Sequence, residues 1–385
     1  MKILLQSRTT LYSVPGGDTI QLLKTREYLE KRGVHADISV ELEPDVTPYD
    51  LIHVFNLTRP QEIYLQTVNA KKQNKKVALS TIYASYSEYD RYARNDIIGV
   101  LAKVLSPSQI EYLKVMARAV KNQEMNKGTL RCMVLGFRPL QERILEMVDV
   151  LLPNSMSEMK RVSQDFRNAG NKQHVIVPNA VDRQVFDPGK AAVLQENDAY
   201  KDCILSVARI EGLKCQLNLV RAMKQLPWPL VLIGKPAPNH HAYFDQIKKE
   251  AGSNVHIVGA VDHALLPQYY QAAKVHALVS WMETTGLSSL EAGAMGCNLV
   301  ITDKGDTRDY FGDHAFYCDP ASVGSIRSAL QKAYEAPARP ALQHHIQSNF
   351  TWERTAEKTL EGYALALGIP RLGVPKGAPL KGSPV

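Results

Sequence analysis

Trp281-Met-Glu-Thr-Thr-Gly-Leu-Ser-Ser-Leu-Glu-Ala-Gly-Ala-Met-Gly296 is the stretch on which the fold turns. Val275-His-Ala-Leu-Val-Ser280 before it is an apolar run of strand length, and the residues after Gly286 read as a helix. Strand, glycine-bearing loop and helix make one βα step of an open α/β sheet. Such sheets bind ligands at the carboxyl ends of their strands, where the N–H groups of a helix start attract oxyanions. Glu283 falls in the loop and Glu291 in the first turns of the helix, with seven residues between them. Two carboxylates placed there accept hydrogen bonds from ligand hydroxyls. Plainer alternatives exist: Ser288-x-x-Glu291 has capping-box spacing, and Glu283 also reads as a solvated loop acid.

The same alternation extends outward. Strands are predicted at Cys203–Val207, Leu230–Ile233, Val255–Val258 and Asn298–Thr302, with helices between them. The first half repeats the pattern, with strands at Ile3–Gln6, Asp50–Leu57, Val77–Ile82, Val148–Leu152 and Val175–Val177. Its first helix opens at Gly16-Gly17-Asp18 and stops at Gly33. Strands separated by helices imply parallel βαβ units. Ser106-Pro107-Ser-Gln109 starts a further helix, with Ile110, Leu113, Ala117 and Val120 on an apolar face and Lys114, Arg118 and Lys121 beside it. Turn-forming residues crowd Pro178–Gly189, which sets a boundary between domains at residues 1–181 and 182–353. A last helix runs from about Trp352 to Leu367. Residues 371–385 mix Pro, Gly and Lys and read as a disordered tail.

A chain of 385 residues is too long for one ordinary core, and 45% hydrophobic with 22% charged residues fits a soluble globular protein. Cys132, Cys203, Cys215, Cys297 and Cys318 are odd in number and scattered, which points to free thiols in a reducing compartment. No apolar run is long enough to span a bilayer, and the run after Lys2 is too short for a signal peptide. The net charge is +7, and residues 91–145 alone carry ten Lys/Arg against four Asp/Glu. That basic segment suits an acidic lipid surface or a phosphorylated acceptor; a solvated helical hairpin is the equally available bland reading.

Arg209 follows a strand at its carboxyl end and Lys214 lies near the next helix start. A planar fork and a point charge at one strand end suit a diphosphate, although each alone reads as a surface cation. Gly16-Gly17 lets backbone N–H groups approach a ligand closely, or simply makes a turn. No GxGxxG fingerprint, GxxxxGK[ST] loop, metal-ligand spacing or loop Asp-x-Asp pair occurs. His53, inside Leu51-Ile-His-Val-Phe55, reads as a core residue rather than a base.

Taken together, Arg209-x4-Lys214, Gly259, Glu283-x7-Glu291, Gly16-Gly17, Asn154-Ser155, Val177-Pro-Asn-Ala-Val-Asp182 and Phe350-Thr-Trp-Glu353 resemble the family 4 (group 1) glycosyltransferases of the GT-B fold over nearly the whole chain. The resemblance implies two Rossmann-like domains facing a cleft, the helix at about 354–368 packing back on the first. It implies a retaining, metal-independent hexosyltransferase without a cofactor. A UDP- or GDP-sugar is then the donor, and a glycan or lipid-linked glycan the acceptor, in polysaccharide, lipopolysaccharide or other glycoconjugate synthesis. Nucleic acid is not an expected partner. The implied location is the cytoplasm, peripheral at the inner face of the membrane.

Residue by residue, the resemblance makes Arg209 and Lys214 the diphosphate ligands, and Glu283 the acceptor of bonds from the transferred sugar. Thr285, Gly286 and Leu287 would meet sugar and phosphates through their backbone, Glu291 the ribose, Gly16 and Gly17 the diphosphate from across the cleft, and backbone near Val261 the base. Many family members carry a histidine after a strand of the N-terminal domain. Here that strand reads Val77-Ala-Leu-Ser-Thr-Ile-Tyr-Ala-Ser85, with Thr81 or Tyr83 falling near the place. The alternatives are a GT-B sugar-nucleotide epimerase and a non-catalytic nucleotide-sugar-binding subunit.

Overall fold

The computed structural model describes residues 1–121, 125–191 and 200–370; the 371–385 tail lies outside them. The first half builds a five-stranded sheet from β1 (Lys2–Gln6), β2 (His35–Ser39), β3 (Leu51–Phe55), β4 (Lys76–Ser80) and β5 (Val150–Leu151). The second builds a six-stranded sheet from β6 (Cys203–Val207), β7 (Leu230–Ile233), β8 (Val255–Gly259), β9 (Ala273–Leu278), β10 (Asn298–Thr302) and β11 (Phe316–Cys318). Strand orders are β2-β1-β3-β4-β5 and β11-β10-β9-β6-β7-β8. Every pairing within them is parallel.

Helices cover both faces of each sheet, so the central strands are largely apolar and deeply buried. All five residues of β3 and of β10 are buried. The strand order reverses between β1 and β3 and again between β6 and β9. A crevice forms at each such switch point, outside the carboxyl ends of the strands. The loops that leave these ends begin at Ser7, Asn56, Ala208 and Val279, and they carry the candidate site.

The last helix, Trp352–Leu367, is capped by Thr351 Oγ1, which accepts from Arg354 N at 3.3 Å. It returns to the first half and buries Trp352, Ala356, Leu360 and Tyr363 with Ile3, Leu5 and Phe55. Tyr363 Oη lies 2.8 Å from His53 Nδ1, and Ser80 Oγ lies 2.9 Å from His53 Nε2. Burial pushes the His53 imidazole down to about 3, so it is a neutral core histidine. All five cysteines are buried free thiols.

Two sequence expectations need correction. Val175–Val177 forms no strand: Val175 N and Val177 N donate to Leu151 O and Pro153 O at 3.0 and 2.8 Å, but Pro153 and Pro178 lack the N–H groups that would extend a ladder. The helix Pro107–Lys121 turns a different face inward. Ile110, Val115 and Ala119 are buried, while Ala117 and Val120 face solvent. Val115 is held in a small cluster with Cys132, Phe137 and Leu140, and Lys114 is drawn to Asp90 at 2.5 Å. Those two anchors fix the rotation.

Candidate active site

A cleft of about 680 Å³ runs between the two sheets at their carboxyl edges and is lined by both halves. Its second-half wall is built from three loops. After β6, Arg209 leads into the turn Gly212–Lys214, and Cys215 at φ 57° redirects the chain into the helix Gln216–Met223. Gln216 Nε2 donates to Arg209 O at 2.8 Å, which fixes that backbone. The Arg209 guanidinium is half exposed and lies 3.3 Å from Glu211 Oε1.

Lys214 Nζ lies 2.6 Å from Glu283 Oε1, with the two side chains 19% and 8% exposed. The sequence-predicted cation and acid therefore form a shielded pair. Glu283 is gripped through its backbone. Its N–H donates to Lys304 O at 3.3 Å, and Asp306 N donates to Glu283 O at 2.9 Å. Gly305, at φ +96°, lies so close to Glu283 O that a Cβ there would collide with it. Gly286 at φ 73° then caps the helix Leu287–Ala294, where Ser289 N and Leu290 N donate to Gly286 O. No side chain caps this helix, so the Ser288–Glu291 capping box does not form. The Glu291 carboxylate instead faces His263 Nε2 at 2.9 Å and accepts from Tyr270 Oη at 3.0 Å. That bond from Glu291 raises the His263 pKa above its ordinary value.

Gly16 and Gly17 line the opposite wall, at the start of the helix Gly17–Glu30. A Cβ on Gly17 would stand 3.6 Å from Leu287 Cδ1, so the two helix starts face each other across the cleft. Asp18 receives Arg8 through Nε at 2.7 Å and Nη2 at 3.1 Å. Burial pushes the Asp18 carboxyl up, but the bonds from Arg8 and Asn56 outweigh it and leave it below its usual value. Thr285 and Gly286 lie at the base, where Thr285 Oγ1 accepts from Asn179 Nδ2 at 3.0 Å and meets Tyr310 Oη at 3.3 Å.

Two expected positions fall elsewhere. The Val261 side chain does not line the cleft: the chain turns at Gly259 (φ 87°) and packs Val261 against the core cluster that includes Tyr270 and Leu290, while His263 and Leu266 reach the cleft. Thr81 and Tyr83 also turn away. Both bind the buried Glu158, Thr81 through its hydroxyl and Tyr83 through its N–H at 2.8 Å; Asn154 N adds a third donor at 2.9 Å. Burial pushes the Glu158 carboxyl up to about 7 despite these bonds. Ile82, at φ 42°, is the residue of this loop that faces the cleft, followed by Ala84 and Tyr86. A β-branched residue in the left-handed region carries strain, here held by the Glu158 anchor.

Sequence reasoning missed His263, Glu158 and the ties between the halves. Arg161 pairs with the fully buried Asp306 at 2.7 Å, Ser157 donates to Asp309 at 2.7 and 2.8 Å, and Lys24 pairs with Asp182 at 2.8 Å. Tyr89, on the helix Ser87–Tyr92, packs into the second-half core beside Ile210 and Cys215. These partners are far apart in sequence, and only the 1–4 spacing of Ser155 and Glu158, which caps the helix Met156–Asp165, was a local signal. Among the described residues no group of three or more His, Cys, Asp or Glu is arranged to hold a metal ion.

Residues 193–350 match the family model described as glycosyl transferases group 1. A D-inositol 3-phosphate glycosyltransferase of Kineococcus radiotolerans is 30% identical over 264 residues, covering 59% of this chain and 59% of that protein. The chain thus spans about three fifths of the length of this relative. A D-inositol 3-phosphate glycosyltransferase of Mycobacteroides abscessus is 26% identical over 91% of this chain and 85% of its own. Among solved structures, a sucrose-phosphate synthase from Thermosynechococcus elongatus superposes with a TM-score of 0.66 at 17% identity, covering 96% of this chain and 99% of that one. Anabaena Alr3699/HepE in complex with UDP and glucose superposes with a TM-score of 0.63 at 14% identity, covering 94% and 99%. At such identities these structures speak to the fold.

Proposed function

We propose that the chain, which is similar to the group 1 glycosyltransferases and shares the GT-B fold of its structural neighbours, is a retaining, metal-independent hexosyltransferase of that group. It takes a hexose-type sugar from a nucleoside diphosphate, UDP or GDP, and needs no cofactor. The observation that carries this reading is the shielded Lys214–Glu283 pair standing beside Arg209 and facing the Gly16-Gly17 helix start. Lys214 and Arg209 hold the diphosphate and stabilise charge on it as it leaves, the task a metal performs elsewhere. Because Glu211 and Glu283 already balance these two cations, backbone N–H groups at Gly17 and Leu287 supply the remaining attraction. Glu283 accepts from the transferred sugar, with Thr285 and Gly286 beside it. Glu291, preset by His263 and Tyr270, accepts from the ribose.

The acceptor lies against the first-half wall, where the cations Arg59, Arg94, Lys114 and Arg118 outnumber the acids Asp90 and Glu111 and favour an anionic group. A phosphorylated polyol, as in the names of the relatives, and a lipid-linked glycan of cell-surface polysaccharide synthesis both meet that requirement. The enzyme works in the cytoplasm, with residues 1–181 presenting the acceptor and 182–353 the donor. The loop after β4 turns Ile82 and Ala84, and no histidine or acid, toward the cleft, in keeping with catalysis by the departing diphosphate itself.

The test is turnover of a panel of UDP- and GDP-sugars with and without EDTA. Transfer or slow donor hydrolysis that persists in EDTA is expected. A strict metal requirement refutes the cation-pair account. Donor binding without any turnover favours the non-catalytic reading that the histidine-free stretch Val77–Ser85 raises, and acceptor-independent interconversion of donors favours an epimerase.

A further inference from the structure

An amphipathic helix ordinarily turns its large apolar residues inward. The short helix Ile97–Leu101 and the turn after it do the reverse. Gly99 and Ala102 face the protein, and a Cβ on Gly99 would collide with Arg94 O, so this face is pressed against the backbone beneath it. Ile97, Val100 and Val104 face outward, 78%, 66% and 86% exposed. Tyr92 stands nearby at 70%, and the cations Arg91 and Lys103 are exposed among them; Arg91 Nε donates to Ala102 O at 3.3 Å. The wider segment shares this character. Of the seventeen large apolar side chains exposed among the described residues, eight fall between positions 92 and 134. Soluble surfaces carry such residues singly; grouped, they mark a contact surface.

Charge narrows the occupant. Arg91 and Lys103 are exposed among the apolar side chains of this face, so a second copy docked through the same face would oppose like charges. The 371–385 tail holds Arg371, Lys376 and Lys381 and no acid, so it has the same sign. The apolar side chains project from short helices instead of lining a groove, the arrangement that inserts into a lipid interface. Position completes the argument. Asp90 and Arg94, which line the acceptor wall of the cleft, sit on the stretch directly beneath this helix, and Arg94 pairs with its capping Asp96 at 2.6 Å.

We propose that Tyr92, Ile97, Val100 and Val104, with Arg91 and Lys103, dock the enzyme on an anionic lipid surface and bring the acceptor mouth of the cleft to it. The inference rests on the reading that the first-half wall presents the acceptor, and it selects the lipid-linked member of the acceptor classes.

The experiment is co-sedimentation of the full chain with vesicles of phosphatidylcholine alone or mixed with phosphatidylglycerol, run beside nucleoside diphosphate binding on the same preparations. The wild type is expected to partition into anionic vesicles about tenfold better than into neutral ones, since each cation at an anionic surface adds to binding. The triple variant Ile97→Ser, Val100→Ser, Val104→Ser and the single variant Lys103→Glu are expected to lose that preference while melting and binding nucleotide as the wild type does. Equal binding to both vesicle types, or wild-type partitioning by the triple variant, overturns the proposal. So does a wild-type dimer that the triple variant dissolves, because a second copy is then the occupant. Failure of the wild type to bind any nucleoside diphosphate would sink the donor reading and leave the vesicle result standing separately.

Discussion

Replacing Lys214 by methionine separates what the Lys214–Glu283 pair does for the fold from what it does for the reaction. Methionine keeps the apolar stem and removes the ammonium. Glu283, 8% exposed, then has no cation at 2.6 Å. Removing one partner of a buried pair costs about 3–5 kcal/mol. With 19% exposure at the lysine, the lower end applies, about 3 kcal/mol. For a domain of this size that lowers the melting temperature by roughly 6–12 °C. The chemical loss is separate. An ammonium has three donors, and one points at Glu283, leaving two for diphosphate oxygens. At about 1.5–3 kcal/mol per charge-assisted bond, their loss lowers kcat/KM by about 10²- to 10⁴-fold. The double variant Lys214→Met, Glu283→Gln removes the stranded charge, so it is expected to recover most of the melting temperature and none of the turnover. Calorimetry and release of nucleoside diphosphate from the donor read the two effects. Turnover within about tenfold of wild type in the single variant, or turnover restored with stability in the double, refutes the reasoning.

Other perturbations probe other parts of the site. Gly17→Val places branched carbon in the gap to Leu287 and is expected to weaken donor binding at least about tenfold, read by calorimetric titration, with little change in melting. His263 has a raised pKa because Glu291 binds it, so their pairing stabilises the fold fully below the ordinary histidine value and is lost as pH rises through the raised one. His263→Ala should therefore lower the melting temperature more at pH 5.5 than at pH 8.5. Glu158, raised from 4.5 to about 7, favours its protonated form in the fold. Its contribution is full below pH 4.5, falls as pH rises to about 7 and is level beyond, and Glu158→Gln should flatten that slope in thermal melts. Arg161→Met strands the fully buried Asp306 and is expected to cost about 3–5 kcal/mol in denaturant unfolding.

What was legible in the sequence was local. The strands buried on both faces announced themselves as apolar runs, and the loop from Trp281 to Gly286 placed Glu283 before its helix and Glu291 within it. The parallel arrangement followed from the alternation of strands and helices. The edge strands His35–Ser39 and Phe316–Cys318 were not visible, because one is half polar and the other has three residues. The inward face of the helix Pro107–Lys121 was read from spacing alone, and the Asp90–Lys114 pair that helps to rotate it joins residues 24 apart. Capping stood as an alternative for Glu291 because its partner in the fold, His263, lies 28 residues upstream. The backbone near Val261 was assigned by resemblance alone; the Val261 side chain packs against the core, and His263 and Leu266 just beyond it line the cleft.

The most direct test of a diphosphate-holding cleft is calorimetric titration of the wild-type protein with UDP, GDP and ADP beside the corresponding monophosphates, in EDTA. The account predicts that at least one diphosphate binds at about micromolar concentration, near −8 kcal/mol, and at least about a hundredfold more tightly than its monophosphate. Equal affinity for the two, or no binding at millimolar concentration, contradicts it.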